Sequence, residues 1–375
     1  MQKFILLAVI MFSTHLYAQE RVRDYGIEIG VFKTGKNNAI TDVAGVKVGQ
    51  VTLIEGDDIR TGVTAIIPHE GNIFRNKVPA AIYVGNGFGK LAGYTQVKEL
   101  GNIETPIILT NTLSIAAGLD ALISYTLAQE GNSNIGSVNG IVGETNDGGL
   151  NNIRARYVKA EHVLNAIENA KDGRVEEGNV GAGTGTICFG FKGGIGTSSR
   201  VLPKSLGGYT VGVLVQSNYG GVLEVAGVPV GQLLGKYDYK NNVMQDVDGS
   251  CMMVVITDAP ITSRNLERLA KRAIMGLAKT GGIASNGSGD YVIALSVAKE
   301  NLINESSDYY CPKELHNESV SPLFLATIEA TEEALLNSLF VAKSMKGYNG
   351  RVVEELPVEK IIGAVKSNQI KSMSK

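Results

Sequence analysis

The sequence has no tryptophan and only three cysteines and four histidines in 375 residues. So few histidines leave little material for the usual general base or for a zinc site, and neither H-E-x-x-H nor a cluster of histidine and aspartate is present. Cys188, Cys251 and Cys311 form an odd set without metal spacing, which excludes a small disulfide-stapled scaffold; a Cys188 to Cys311 bridge is an open option. Charge of one sign is also missing. With 35 basic and 37 acidic residues, the formal net charge of -2 supplies no general field for nucleic acid or anionic lipid. No nucleophile elbow G-x-S-x-G stands before a helix, which argues against a Ser-His-Asp hydrolase of the α/β type. The run Gly181-Ala182-Gly183-Thr184-Gly185-Thr186 lacks both the third glycine of a dinucleotide fingerprint and the Lys-Ser/Thr of a phosphate loop. No cofactor and no metal is expected.

What is present is glycine and apolar mass. The 46 glycines are well above the usual ~7% share. Apolar residues make up 44%, with a mean hydropathy of +0.06, enough for a large core. Met1 to Lys3, the apolar Phe4 to Phe12, and Leu16-Tyr17-Ala18 before Gln19 read as a secretory signal peptide over residues 1–18. The apolar stretch is far shorter than the ~20 residues of a spanning helix. The expected product, residues 19–375, is secreted or periplasmic, has no membrane anchor, and retains only His69, His162 and His316, all expected on the surface.

Short Val- and Ile-rich segments bounded by Gly, Asn or Asp predict buried strands over Ile27 to Phe32, Val46 to Ile54, Val63 to Ile67, Ala80 to Val84 and Pro106 to Leu109. Further strands are predicted over Met252 to Thr257 and Tyr291 to Val297. Apolar spacing predicts helices over Thr112 to Glu130, Lys159 to Ala170, Ser263 to Lys279 and Ser321 to Ser344. The first would bury Leu113, Ala116, Ala117, Leu119, Leu122 and Ile123. Uninterrupted apolar strands are covered on both faces, so a layered α/β sandwich in one large domain is expected. Gly178 to Gly196 holds eight glycines, which implies close backbone approach or positive φ.

One polar segment, Asp246-Val247-Asp248-Gly249-Ser250, runs directly into the apolar Cys251-Met252-Met253-Val254-Val255. It reads either as an ordinary turn into a strand or as the cutting site of a self-processing precursor. In the second case the Ser250 hydroxyl attacks the Gly249 carbonyl, and cleavage frees a Ser250 α-amine that serves as base for its own hydroxyl. No histidine is then required. Cys251, one residue on, should face the opposite way along the strand, into the packing.

With that segment, the chain resembles the exported L-aminopeptidase D-esterase/amidases and β-peptidyl aminopeptidases, self-cleaving serine aminopeptidases related in fold to the ornithine acetyltransferases. The resemblance runs from Tyr25 to the end, through Asn38-Ala39-Ile40-Thr41-Asp42-Val43-Ala44-Gly45-Val46, Val142-Gly143-Glu144-Thr145-Asn146-Asp147-Gly148, Val215-Gln216-Ser217-Asn218-Tyr219-Gly220, Gly249-Ser250 and Gly287-Ser288-Gly289-Asp290. It implies a four-layer αββα sandwich like that of N-terminal nucleophile hydrolases, and a cut between Gly249 and Ser250 into chains 19–249 and 250–375. It also implies a tetramer of the cut heterodimers. Carried onto these residues, Ser250 is the nucleophile, Ser288 and Asp290 orient its hydroxyl and amine, and Asn218 donates to the oxyanion. Without the family, Asn286-Gly287-Ser288-Gly289 would read as a turn. Glu144 is the residue to hold the free amino group of a short peptide, amide or ester. Some esterase-type members have tyrosine where this chain has Asn146, which tilts the expectation towards β-amino acids. The alternatives are an acyltransferase of the ornithine acetyltransferase type, against which Ser250 and the signal segment argue, and a non-catalytic exported binding protein with the same fold.

Overall fold

A computed structural model describes residues 20–240 and 248–373; the segment expected as a signal peptide, together with Asp246 and Val247, lies outside these residues. Two sheets stack face to face. One has five strands in the order β1 (Lys47–Glu55), β2 (Ile59–Ile67), β6 (Ile107–Asn111), β7 (Ile141–Thr145) and β4 (Leu91–Ala92). The other runs β10 (Ile195–Val201), β11 (Thr210–Asn218), β12 (Asp248–Thr257), β13 (Gly287–Ser296), β3 (Asn76–Gly87) and β14 (Ile303–Asn304), with β5 (Asn102–Ile103) also paired to β3.

The central strand β12 shows why these segments had to be apolar throughout. Cys251, Met253 and Val255 join a core with α5 (Ser263–Lys279) and α6 (Ser321–Phe340), whereas Met252, Val254 and Ile256 join a second core. That second core is shared with the five-stranded sheet, α2 (Ile115–Ala128) and α3 (Ala160–Glu168). The result is the αββα sandwich. Each fully buried Val, Ile or Met contributes roughly 1.5–3 kcal/mol, so both faces hold the strand firmly. A slip of one residue would exchange Ser250 with Cys251, so this packing also decides which side chain reaches which face. The short helices α1 (Tyr94–Leu100) and α4 (Val230–Leu233) fill connections, and α7 (Val358–Met373) seats Ile361 and Val365 in the first core.

Three sequence expectations need correction. Ile27 to Phe32 is not a ladder strand: Ile27 and Ile29 are buried, but the Val31 and Phe32 N–H groups donate to the Glu329 carboxylate on α6 (2.9 and 3.1 Å) instead of to a strand. In α2 the buried face is Gly118, Ala121, Leu122 and Thr126, while Leu113 before it and Ile123 within it are exposed. Gly287, Ser288, Gly289 and Asp290 form the start of β13, and a turn over Ser285 to Ser288, closed by Ser288 N–H donating to Ser285 O (2.9 Å), leads into it. The cysteines are free thiols, Cys188 buried and Cys311 exposed. His316 is exposed as expected, but His162 and His69 are half-buried, His162 capping the start of α3 and His69 contacting the carbonyls of Glu70 and Asn76.

Candidate active site

Three strand ends meet at one point. Asn218, the last residue of β11, pairs with Ser250 in antiparallel register, and β13 runs parallel on the other side, placing Ser288 beside Gly249 and Gly289 beside Ser250. Residues far apart in sequence are thus fixed by backbone ladders rather than by flexible loops. Ser250 is buried, and its hydroxyl donates to the carbonyl oxygen of Gly249 at 2.6 Å, the bond that the self-cleaving reading requires it to attack. Gly249 has no left-handed backbone; what favours glycine there is close space. A Cβ would sit 3.2 Å from Tyr219 Cα and 3.3 Å from Ser288 Oγ.

Ser288 and Asp290 are almost completely buried, and among the described residues neither the Ser288 hydroxyl nor either Asp290 carboxylate oxygen has a hydrogen-bond partner. Buried polar atoms are normally paired, so an unmet hydroxyl beside an unmet carboxylate marks a place where bonding partners change. Burial pushes the Asp290 carboxyl up to about 6; the Ser288 hydroxyl opposes this, being close enough to favour the charge while short of a hydrogen bond of normal geometry. Cys251 faces the helices as expected. Burial raises its thiol well above the ordinary range, with Asp290 adding to the effect, so it is no thiolate nucleophile.

The Asn218 amide is oriented by Ile187, whose N–H donates to Oδ1 at 2.9 Å. Its NH2 is left as the donor group. From the facing sheet, β7 approaches β12 through Gly143, where a Cβ would run into the Met252 side chain. Glu144 follows. It is 3% exposed, accepts the Lys90 N–H at 2.9 Å and lies 3.6 Å from Lys90 Nζ. Burial raises its carboxyl, and Lys90 and Thr112 pull the other way. Asn146 is half-buried and its side-chain oxygen accepts the Gly148 N–H at 2.9 Å within the loop after β7.

Several neighbours were not legible in the sequence. The segment from Asn86 to Lys90 ties the two halves together: the Asn86 amide donates to Ser288 O, Phe88 N–H donates to Ser288 O at 3.2 Å, and Lys90 reaches Glu144. Gln216 spans the sheets, donating to Thr110 O, Thr145 Oγ1 and Ala182 O. Its alternation with Asn218 on β11 was the one available signal. The glycine run also finds its reason here. Between Gly178 and Gly196 the chain is threaded against other backbone: a Cβ on Gly185 would strike Arg60 O, and one on Gly196 would strike Ala334 O in α6.

Comparison with known proteins finds similar chains. The model of peptidase family S58 matches residues 38–353. The β-peptidyl aminopeptidase BapA of Sphingosinicella microcystinivorans is 41% identical over 358 residues, covering 90% of this chain and 89% of its own. A β-aminopeptidase from a Burkholderia species superposes with a TM-score of 0.85 at 40% identity, over 93% of this chain and 99% of its own. The L-aminopeptidase D-Ala-esterase/amidase of Ochrobactrum anthropi, described as a prototype of the serine aminopeptidases and a variant of the Ntn hydrolase fold, gives 0.84 at 34% identity, over 93% and 98%.

Proposed function

Because the chain belongs to peptidase family S58 and is a serine-type aminopeptidase, we propose that it cuts itself between Gly249 and Ser250 and then releases N-terminal residues from short peptides, amides or esters through a Ser250 acyl-enzyme. The observation that carries this reading is the Ser250 hydroxyl lying against the Gly249 carbonyl between Asn218 and Ser288.

In the first stage, Ser250 Oγ adds to the Gly249 carbonyl carbon, and the C–N bond to Ser250 breaks to give an ester and a free amine. Water then hydrolyses the ester, leaving a Gly249 carboxylate and Ser250 as a new N-terminus. That α-amine, with an unperturbed pKa of roughly 7.7–8.0, is suited to take the Oγ proton at neutral pH. Ser288 and Asp290, which pair with Gly249 and Cys251 across the ladder, are assigned to receive the new ammonium at the freed backbone nitrogen. In the second stage Oγ attacks the substrate carbonyl, the Asn218 NH2 donates to the oxyanion, and the α-ammonium returns the proton to the leaving amine. Water repeats the sequence to release the acid. Glu144 pairs with the substrate ammonium.

Resemblance to the two β-aminopeptidases favours β-amino acids or small L-residues as the released group. Export by the N-terminal segment and assembly into a tetramer of cut heterodimers complete the proposal. On a denaturing gel the purified protein should run as two bands and Ser250→Ala as one uncut, inactive band; an intact wild-type chain with full activity would refute the mechanism. Release rates from β-alanyl, L-alanyl and D-alanyl amides then rank the substrates.

A further inference from the structure

One buried cation has no part in the chemistry above. Lys192 lies on β9 (Phe191–Lys192), which forms a small hairpin with β8 (Ile187–Cys188) inside the glycine run, and its side chain is wholly buried. Its Nζ donates to Gly193 O at 2.6 Å and to Gly183 O at 3.0 Å, and among the described residues it forms no ion pair. An ammonium taken out of water without a carboxylate in contact is costly. Burial accordingly lowers its pKa to about 7, while Cys188 and the buried Asp147 favour its charge. What such a group holds in place must therefore matter.

The two carbonyls it holds stand on either side of the hairpin, Gly183 before it and Gly193 after it. Thr186 Oγ1 also donates to Gly183 O, at 3.0 Å, and Gly193 N–H donates to Thr186 O. The ammonium thus ties the base of the hairpin together. The hairpin in turn grips the end of β11: Ile187 N–H donates to Asn218 Oδ1, and Phe189 N–H donates to Tyr219 O at 2.7 Å. Across the hairpin Ile187 is the register partner of Lys192, so the residue that orients the amide lies directly opposite the lysine. We propose that Lys192 is a positioning residue for the oxyanion donor, acting through Gly183, Gly193 and Ile187 to aim the Asn218 NH2. This rests on the Ser250 acyl-enzyme reading.

A double-mutant cycle tests it, with kcat normalised to the cut fraction seen on a denaturing gel. Lys192→Met should lower kcat by ~10-fold or more with KM within about 3-fold, because a misaimed donor is felt in the transition state rather than in binding. Asn218→Ala alone should lower kcat by ~100-fold or more. In the Asn218→Ala background Lys192→Met should then cost less than about 3-fold. A product of the two separate losses, a rise in KM without loss of kcat, or an unchanged kcat for Lys192→Met overturns the inference while leaving the acyl-enzyme reading intact. An Asn218→Ala enzyme as active as the wild type overturns the oxyanion assignment, and this inference with it. Should Lys192→Met not fold, Thr186→Val removes the second donor to the same Gly183 carbonyl. A several-fold loss of kcat confined to the Asn218-containing protein supports the link, and an equal loss in both backgrounds, or none in either, refutes it.

Discussion

The protein buries charge in two places, and in opposite ways. On β10, Arg200 is fully buried and its guanidinium donates to Glu329, to Glu333, to Ser198 Oγ and to the carbonyls of Ile29 and Ser199. Glu333 also receives Arg23 and the Asn38 amide. Burial alone would raise the Glu333 carboxyl, yet Arg200 and Arg23 hold it below its usual value. At the start of β12 and β13 the reverse holds: Asp290 is equally buried, has no hydrogen-bond partner among the described residues, and is pushed up to about 6. Burial with every partner present builds structure. Burial with partners withheld prepares a site for a group that arrives later.

The comparison breaks most visibly through Arg200→Met. It leaves Glu329 and Glu333 buried without their main cation, for which the expected loss is ~3–5 kcal/mol of folding stability. Thermal or denaturant melting should show this, while kcat per folded, cut molecule stays within a few-fold of wild type. A large loss of kcat without a loss of stability would mean that the network serves the site.

Asp290→Asn should do the opposite. It removes a carboxylate that makes no hydrogen bond among the described residues, so stability should hold or rise, whereas kcat should fall by ~100-fold or more and self-cleavage should slow. Melting together with single-turnover assays separates the two effects. A destabilised Asp290→Asn with normal turnover would put Asp290 in the same class as Glu333.

The two regions should also differ in sign with pH. Asp290 titrates at about 6 in the fold and at roughly 3.9 unfolded, so between these values the folded state binds the extra proton. Its contribution to stability is therefore greatest at the acidic end and declines as pH rises through about 6, by at most roughly 3 kcal/mol. Glu333, held low, contributes in the other direction: its share is present above the unfolded value of ~4.3 and is lost as pH falls. In the uncut Ser250→Ala background, adding Asp290→Asn should raise the melting temperature more at pH 8 than at pH 4. An equal rise at both would place the Asp290 titration outside this window.

The sequence made the scaffold more legible than the site, for physical reasons. Segments such as Ser263 to Lys279 and Met252 to Thr257 carry their burial pattern locally, and both formed where periodicity placed them, β12 starting a little earlier. Ile27 to Phe32 looked like a strand because Ile27 and Ile29 are buried, but its donors are taken by Glu329, some three hundred residues later, which no local pattern contains. Asn286-Gly287-Ser288-Gly289 has turn composition and does end a turn, but pairing with β12 and β3 continues it at once as a strand, which no local pattern shows. Ser250 was singled out by the polar segment running into its strand and Asn218, Glu144, Ser288 and Asp290 through resemblance to a family, whereas Lys192 and Gln216 matter through backbone contacts between distant strands. The glycine run could be flagged by composition, but its cause lies in Arg60 and α6.

Glu144 lies between the two extremes and gives the smallest expected effect. It is buried like Asp290, but it accepts the Lys90 N–H and has the half-exposed Lys90 ammonium 3.6 Å away, a distance at which a substrate amine can compete for it. Glu144→Gln keeps the shape and an acceptor oxygen for the Lys90 N–H while removing the charge that would select a cation. The expected result is a rise in KM of about 10-fold, equivalent to ~1.4 kcal/mol, with little change in kcat and self-cleavage complete on the gel. Self-cleavage needs no free amine in the substrate position, so it should be blind to this change. If instead cutting and turnover fail together, Glu144 holds the Lys90 turn against β13 and belongs with Arg200 among the groups that are buried for structure.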